Sequence, residues 1–244
     1  MIYFLIPLLG TVIGSSLVFF IKEKLNAKVE KALLGFASGV MIAASIWSLL
    51  LPAFEMSQEL GKYAFIKGLA GFLIGIFFLL GLDEIIPHIH VLSKQEEGHH
   101  AKISSAFKIL LAIVLHNIPE GLATGAVIGL DDLALPLAIG IAIQNIPEGI
   151  IVALPLKNAT KSTFKAFIFG TLSGVMETLS ALVAFYIASF DFIMPYLLGF
   201  AAGAMIYVTT EELIPEMSLG KHSNIGTIAL ALGFALLIIM DSLL

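Results

Sequence analysis

The sequence predicts an all-α integral membrane protein with eight transmembrane helices. Of its 244 residues, 59% are hydrophobic and only 13% are charged, and the mean hydropathy is +1.01. Soluble domains carry about 25% charged residues. Apolar runs of the roughly 20 residues that a membrane span needs cover the chain from end to end, and no charge-rich linker divides it. We therefore expect a single membrane domain over residues 1–244, embedded in a lipid bilayer.

Eight apolar runs are separated by short stretches of turn, charged or helix-breaking residues. The first run lacks a positive leading segment and a small-residue cleavage site, so we interpret it as a retained span and not as a signal peptide. The predicted spans lie near residues 2–21, 32–54, 64–86, 104–130, 133–156, 164–188, 192–215 and 224–243.

Lysine placement predicts the orientation of the chain. Eleven of the 13 basic residues fall on one side, against Lys62 and Lys67 on the other. The positive-inside rule places the lysine-rich connections in the cytoplasm and both termini outside, as in a multi-pass protein of the plasma or inner membrane. These connections are residues 22–31, 87–103, 157–163 and 217–223, and the eleven lysines are Lys22, Lys24, Lys28, Lys31, Lys94, Lys102, Lys108, Lys157, Lys161, Lys165 and Lys221.

Composition also excludes several kinds of function. The chain has no cysteine, which rules out disulfides, thiolate metal sites and cysteine nucleophiles. The net charge of -5 provides no basic surface for nucleic acid.

One internal repeat places polar residues in the middle of two spans. "HNIPEG" runs from His116 to Gly121, and "QNIPEG" runs from Gln144 to Gly149. The two spans meet at Asp131–Asp132, so they should form an antiparallel pair. The motifs then face each other near mid-membrane with opposite chain directions.

A second repeat joins "GFASGVMIAAS" (Gly35–Ser45) with "GFAAGAMIYVT" (Gly199–Thr209). The first stretch runs outward and the second inward, so this pair is inverted as well. Inverted repeats with a site at their interface recur in secondary transporters. The alternative is that small residues simply recur at helix contacts, which leaves the matched "NIPEG" unexplained.

The two motifs direct their polar side chains into one space. On a helix, positions i, i+1 and i+4 fall within a sector of about 100°. Each motif also contains a proline, Pro119 or Pro147, which removes one internal hydrogen bond, and we expect the helices to be broken there. The polar residues are His116, Asn117 and Glu120 on span four, and Gln144, Asn145 and Glu148 on span five.

Glu177, at the middle of span six, adds a third carboxylate. A charged side chain at the bilayer centre costs roughly 2.5–3.5 kcal/mol, so three glutamates cost about 8–10 kcal/mol. A bound dication would offset this cost. Imidazole, carboxylate and amide donors without thiolate suit Zn²⁺, Fe²⁺, Mn²⁺ or Cd²⁺. The alternative is that these groups only hydrogen-bond one another, and Gln144 could merely orient its neighbours.

Further polar residues suggest a route through the membrane on either side of this site. Each has a plainer explanation: residues at span ends can be solvated, loop histidines can be ordinary loop composition, and hydroxyls can bond back to helix carbonyls. The candidates are Glu55 on the outer side, Ser45 along the path, and Glu211, Glu212, Asp83, His88 and His90 on the inner side.

Four stretches make the chain resemble the ZIP family of metal-ion transporters, in particular its GufA-like bacterial branch. The resemblance covers essentially the whole chain, and either "PEG" alone would carry little weight. The stretches are "HNIPEG", "QNIPEG", "SGVMIAASIWSLLLPA" and "FAAGAMIYVTTEELIPE".

The resemblance implies eight helices in a 3+2+3 bundle with both termini outside, a homodimer, and uptake of Zn²⁺ and related dications into the cytoplasm as transported substrate, with no cofactor. It implies a primary site at His116, Glu120, Gln144 and Glu148. It also implies a neighbouring site at Asn117, Glu120, Asn145, Glu148 and Glu177, and an inner route past Glu211, Glu212, Asp83, His88 and His90.

This sequence departs from the family pattern at two positions. Many members carry His where it has Gln144, and some carry Asp where it has Asn145. The second change leaves the occupancy of the neighbouring site open. The predicted function is divalent-metal transport by alternating access. The alternatives are a membrane-embedded metal-dependent hydrolase, for which neither HExxH nor a nucleophile with its base is present, and a metal channel or a carrier for another solute.

Overall fold

A computed structural model describes residues 2–21, 25–90, 93, 95–99 and 103–244. In this part of the chain eight helices are long and apolar enough to cross a membrane, which confirms the predicted all-α multi-span fold. We number them in chain order as α1 (Ile2–Phe19), α2 (Ala27–Glu55), α3 (Phe65–Ile85), α4 (Ser105–Val127), α5 (Asp131–Thr160), α6 (Thr163–Ala188), α7 (Met194–Ser218) and α8 (Ile225–Leu243).

Local sequence explains where several helices begin and end. The side chain of Asn26 accepts a hydrogen bond from the backbone N–H of Lys28 and caps α2, which therefore starts five residues before the predicted span. Ser104 and Ser162 cap α4 and α6 in the same way. Helix α5 continues four residues beyond its predicted end and stops at Lys161, which adopts the left-handed conformation that often terminates helices.

The expectation that α4 and α5 break at their prolines was wrong. Both helices run continuously through Pro119 and Pro147. The departures from α-helical geometry lie in α2 and α7, where π-helical segments span Ala44–Leu50 and Thr209–Leu213. Each π-helical segment ends two residues before a proline, at positions 52 and 215, whose missing N–H leaves a carbonyl in the preceding turn without its helical partner.

A short β-hairpin, which the sequence did not predict, folds in the connection between α3 and α4. Strands β1 (His88–Ile89) and β2 (Glu96–Glu97) pair in antiparallel fashion, with His88 opposite Glu97. The ammonium group of Lys108 on α4 donates a 2.6 Å hydrogen bond to Glu96 and holds the hairpin against that helix. We call the end of the bundle that carries this hairpin the hairpin end.

The helices pack mainly in four pairs: α1 with α5, α4 with α6, α2 with α8, and α3 with α7. Helices α1, α4, α5 and α6 also contact one another and form one group, and α2, α3, α7 and α8 form the second. The groups meet where α2 packs on α5 and where α4 packs on α7.

Glycines allow the second group to pack backbone against backbone. Gly35 on α2 abuts the backbone of Gly226 on α8, and Gly199 on α7 abuts the backbone of Gly68 on α3. Gly35 and Gly199 are the matched first residues of the second repeat. A side chain at either position would overlap main-chain atoms that cannot move aside.

Lys22, Lys24, Lys94 and Lys102, which contribute to the predicted orientation, lie outside the described residues. The predicted connections 22–31 and 87–103 are therefore described only in part.

Replacing Gly75 by valine should destabilise the protein, because Gly75 on α3 abuts the backbone of Phe200 on α7. Overpacking of this kind costs about 1–3 kcal/mol. Gly81 lies on the same helix and has open space around it, so Gly81→Val is the matched control. Thermal unfolding in detergent should show a lower midpoint for the first variant only; equal midpoints would contradict the described α3–α7 contact.

Candidate metal site

The structure brings the polar residues of α4, α5 and α6 together in the middle of the bundle. Glu120, Gln144 and Glu177 are each at least 98% buried. The side-chain amide of Gln144 donates a 2.6 Å hydrogen bond to Glu120. Glu148 lies close enough to Glu120 for the two carboxyl groups to interact, so the two "NIPEG" motifs meet across the α4–α5 contact.

Asn145 joins α5 to α1 and α6. Its side-chain nitrogen donates to Glu177 at 2.8 Å, and it also lies 3.2 Å from the Thr11 hydroxyl and 3.3 Å from the Pro7 carbonyl oxygen. The sequence did not indicate that α1 contributes to the site. Neither Pro7 nor Thr11 belongs to a polar motif.

Several oxygens of this cluster are buried without a hydrogen-bond partner among the described residues. Buried polar atoms are nearly always paired, so this concentration of unpaired acceptors is what a site for a cation requires. The atoms are Glu120 Oε2, Gln144 Oε1, Asn145 Oδ1, Glu148 Oε1 and Glu177 Oε1.

A small cavity of about 30 Å³ lies beside the cluster, with His116, Asn117, Asn145 and Glu148 among its lining residues. A volume of 10–15 Å³ accommodates roughly one water molecule, so the cavity has room for a small ion. Glu216 and Ile151 line both this cavity and a larger one of about 770 Å³ at the hairpin end.

His116 connects the central cluster to α7. Its Nε2 forms an ion pair with Glu212, which is 5% exposed. The resemblance places His116 with Glu120, Gln144 and Glu148, whereas in this structure the imidazole is paired with a residue of the inner route.

Glu212 also belongs to a second cluster of polar side chains, at the hairpin end. His90 Nδ1 lies 3.8 Å from Glu212, and His88 Nε2 lies 3.1 Å from Asp83. Ligand atoms of Asp83, His88 and Glu212 lie close enough together to hold one metal ion, and so do those of His88, His90 and Glu97. Of the residues in these two ligand sets, only Glu97 was not predicted from the sequence, since nothing indicated that a hairpin pairs it with His88.

The remaining route candidates lie apart from both clusters. Glu211 is exposed, although the sequence suggested that both acids of the pair lie deep, and only its neighbour Glu212 is buried. Glu55 is exposed at the end of α2. Ser45 is buried, and its hydroxyl donates a 2.7 Å hydrogen bond back to the Met41 carbonyl of its own helix, as the plainer explanation for hydroxyls predicts.

Comparison with known proteins identifies the family. The model of the family described as "ZIP Zinc transporter" matches residues 92–241, which is more than half of the chain and includes both "NIPEG" motifs. The chain belongs to the ZIP zinc transporter family.

Three ZIP relatives illustrate the extent of the similarity. Zinc transporter GufA of Myxococcus xanthus is 36% identical over 242 residues, covering 96% of this chain and 95% of GufA. Zinc transporter ZIPB of Bordetella bronchiseptica is 37% identical over 226 residues, covering 90% of this chain and 73% of ZIPB. Human zinc transporter ZIP11 is 31% identical over 318 residues, covering 95% of this chain and 93% of ZIP11.

His88, which lies outside the spanning helices, should titrate well above the usual range for histidine. Burial favours its neutral form, but its hydrogen bonds to Asp83 and to the Ile86 carbonyl outweigh burial and raise its pKa from 6.5 to about 9. Because the folded-state pKa is the higher one, the Asp83–His88 pair stabilises the fold fully below pH 6.5 and loses this effect as the pH rises through about 9.

The measurement is an NMR titration of histidine-labelled protein from acid to alkaline pH, with His88→Gln used to assign the signal. Asp83→Asn should lower the midpoint of His88 towards the ordinary value of 6.5. A wild-type midpoint near that value would contradict the pairing.

Proposed function

We propose that this protein transports divalent metal ions, with Zn²⁺ the principal substrate and Fe²⁺, Mn²⁺ and Cd²⁺ as further candidates. The observation that carries the proposal is the set of buried, unpartnered oxygens at the centre of a membrane-spanning bundle. Such atoms are costly in an apolar interior unless a ligand satisfies them. The relatives are named zinc transporters, in agreement with this reading.

We propose that His116, Asn117, Glu120, Gln144, Asn145, Glu148 and Glu177 form the transport site. Glu120 and Glu148 supply negative charge from facing helices, and the imidazole of His116 is a suitable nitrogen ligand. The Gln144 amide donates to Glu120, which leaves its carbonyl oxygen free and supports an orienting role that the sequence left open.

The proposed exit route runs to the hairpin end. The central cavity adjoins the cavity of about 770 Å³ at that end. Glu212, Asp83, His88 and His90 follow one another from the site towards the hairpin, so an ion leaving His116 would meet new ligands within a few ångströms. A cavity of about 510 Å³ at the other end, near Met56 and Asp191, shares none of its described lining residues with the central one.

Among the described residues, the central cavity shares lining residues with the hairpin-end cavity and not with the one at the other end, which supports a carrier rather than an open channel. We propose that transport occurs by alternating access, in which the two helix groups move relative to each other. The structure then represents the conformation that opens to the hairpin end. A metal-dependent hydrolase, the alternative from another class, gains no support from relatives that are named as transporters.

The helix pairing supports the 3+2+3 inverted repeat. The repeat relates α1 to α6, α2 to α7, α3 to α8 and α4 to α5. Under this relation the α2–α8 pair corresponds to the α7–α3 pair, and the α1–α5 pair corresponds to the α6–α4 pair. All four pairs are present in the structure. The matched glycines of the second repeat follow the same relation, since Gly35 on α2 contacts α8 and Gly199 on α7 contacts α3. We retain the homodimer implied by the family as part of the proposal.

Zinc uptake into proteoliposomes tests the proposed site. Glu120→Ala and Glu148→Ala should each reduce the initial rate by at least about tenfold, since even partners outside the first coordination shell contribute 10–100-fold in affinity. Asp132→Ala removes an exposed carboxylate at the start of α5 and should leave the rate unchanged. Wild-type rates in both glutamate variants would refute the assignment.

Single cysteines test the proposed orientation, which places the hairpin end in the cytoplasm. The chain contains no native cysteine, so Lys62→Cys and His222→Cys, both at exposed positions, can each be introduced alone. In intact cells an impermeant maleimide should label the first and label the second only after permeabilisation. The reverse pattern would invert the proposed topology.

A further inference from the structure

Lys31 on α2 lies in an unusual environment for a lysine. It is 8% exposed, and lysine is rarely buried to this extent unless its charge is paired. The ammonium group donates a 2.8 Å hydrogen bond to the backbone carbonyl of Lys221, in the connection between α7 and α8. This carbonyl is a neutral acceptor. The hydrogen bond therefore holds the ammonium group in place without cancelling its charge.

Lys108 on α4 provides a comparison at the same end of the bundle. It is as buried as Lys31, at 8% exposed, but its ammonium group lies 2.6 Å from the carboxylate of Glu96. An ion pair of this kind compensates a buried charge. The partner of Lys108 thus neutralises it, whereas the carbonyl that binds Lys31 does not.

Lys31 lines the cavity of about 770 Å³ at the hairpin end, which we call the exit cavity. Glu216 lines both the exit cavity and the central cavity. An ion that leaves the centre past Glu216 therefore enters a space with an ammonium group in its wall. An ammonium group has three donors and no acceptor, so it cannot ligate a cation and can only repel it.

The other lining residues of the exit cavity show what this repulsion achieves. Among those that the structure describes, three are acidic, namely Glu30, Glu96 and Glu216, and Lys31 is the basic one. Acidic side chains attract a dication to the cavity, but they also retain it there. Apolar residues such as Ile109 complete the wall, and low-dielectric walls focus the field of nearby charges. A fixed positive charge in this wall weakens retention.

We propose that Lys31 is a release residue, which lowers the affinity of the exit cavity for dications through the charge of its ammonium group. Ions that have passed the central site then leave readily at the hairpin end, and metal already present on that side re-enters less easily. Lys31 does not ligate the ion. The inference rests on the proposed function, because it concerns the last stretch of the same route.

The experiment measures how strongly zinc on the hairpin-end side inhibits uptake. Membrane vesicles of one orientation, assigned with Lys62→Cys and His222→Cys, are loaded with buffered Zn²⁺ on that side, and the initial rate of ⁶⁵Zn²⁺ uptake is measured. Lys31→Gln should lower the half-inhibitory Zn²⁺ concentration at least about tenfold, the lower end of the range by which charged clefts change local ion concentrations. Lys31→Arg keeps the charge and should stay close to the wild type.

Two further variants separate charge from structure. Lys221→Gln removes an exposed lysine at the same end but keeps its backbone carbonyl, so inhibition should be unchanged. The chain has no native cysteine, so Lys31→Cys can be treated with aminoethyl methanethiosulfonate, which adds an ammonium group, or with methyl methanethiosulfonate, which adds a neutral group. The first reagent should restore weak inhibition, and the second should not.

The outcomes distinguish this inference from the proposed function. Equal inhibition of the wild type and Lys31→Gln, or equal effects of the two reagents on Lys31→Cys, would overturn the release role and leave transport standing. If neither Lys31→Gln nor Lys31→Cys reaches the membrane, Lys31 is a structural residue and the inference is wrong. Absence of zinc uptake by the wild type would instead overturn the proposed function.

Discussion

The structure depends on pairing the carboxylates that are buried in an apolar interior. Three of the buried glutamates have a specific donor: Gln144 for Glu120, Asn145 for Glu177, and His116 for Glu212. An unpaired charge there would cost several kcal/mol, so these pairs determine how α4, α5, α6 and α7 are arranged around one point. The oxygens that these donors leave free are the ones available to a cation.

Much of this arrangement could be predicted from the sequence, because hydropathy and a duplicated motif are local signals. Eight apolar runs predicted eight helices, and the spacing of His116, Asn117 and Glu120 predicted one polar face. Helix ends were less accurate, since they depend on single capping residues such as Asn26. The expected break at Pro119 did not occur, because one missing hydrogen bond is tolerated where neighbouring helices support the backbone.

Contacts between distant segments could not be read from the sequence. Thr11 lies in an apolar helix with no polar motif, and it reaches the site only because α1 packs on α5. Glu97 becomes a neighbour of His90 through a hairpin whose two strands, of two residues each, are too short to produce a periodic pattern. Likewise, only the fold distinguishes Glu212, which is buried, from the adjacent Glu211, which faces outward.

The ion pair between His116 and Glu212 has a consequence for how the two helix groups are joined. His116 belongs to the group of α1, α4, α5 and α6, and Glu212 belongs to the other group, so the pair is a bond across their boundary. An imidazole nitrogen that is engaged by a carboxylate cannot ligate a metal through the same lone pair. A metal ion that binds this nitrogen would therefore break one ion pair between the two groups. Metal binding would by itself weaken the association of one half of the molecule with the other.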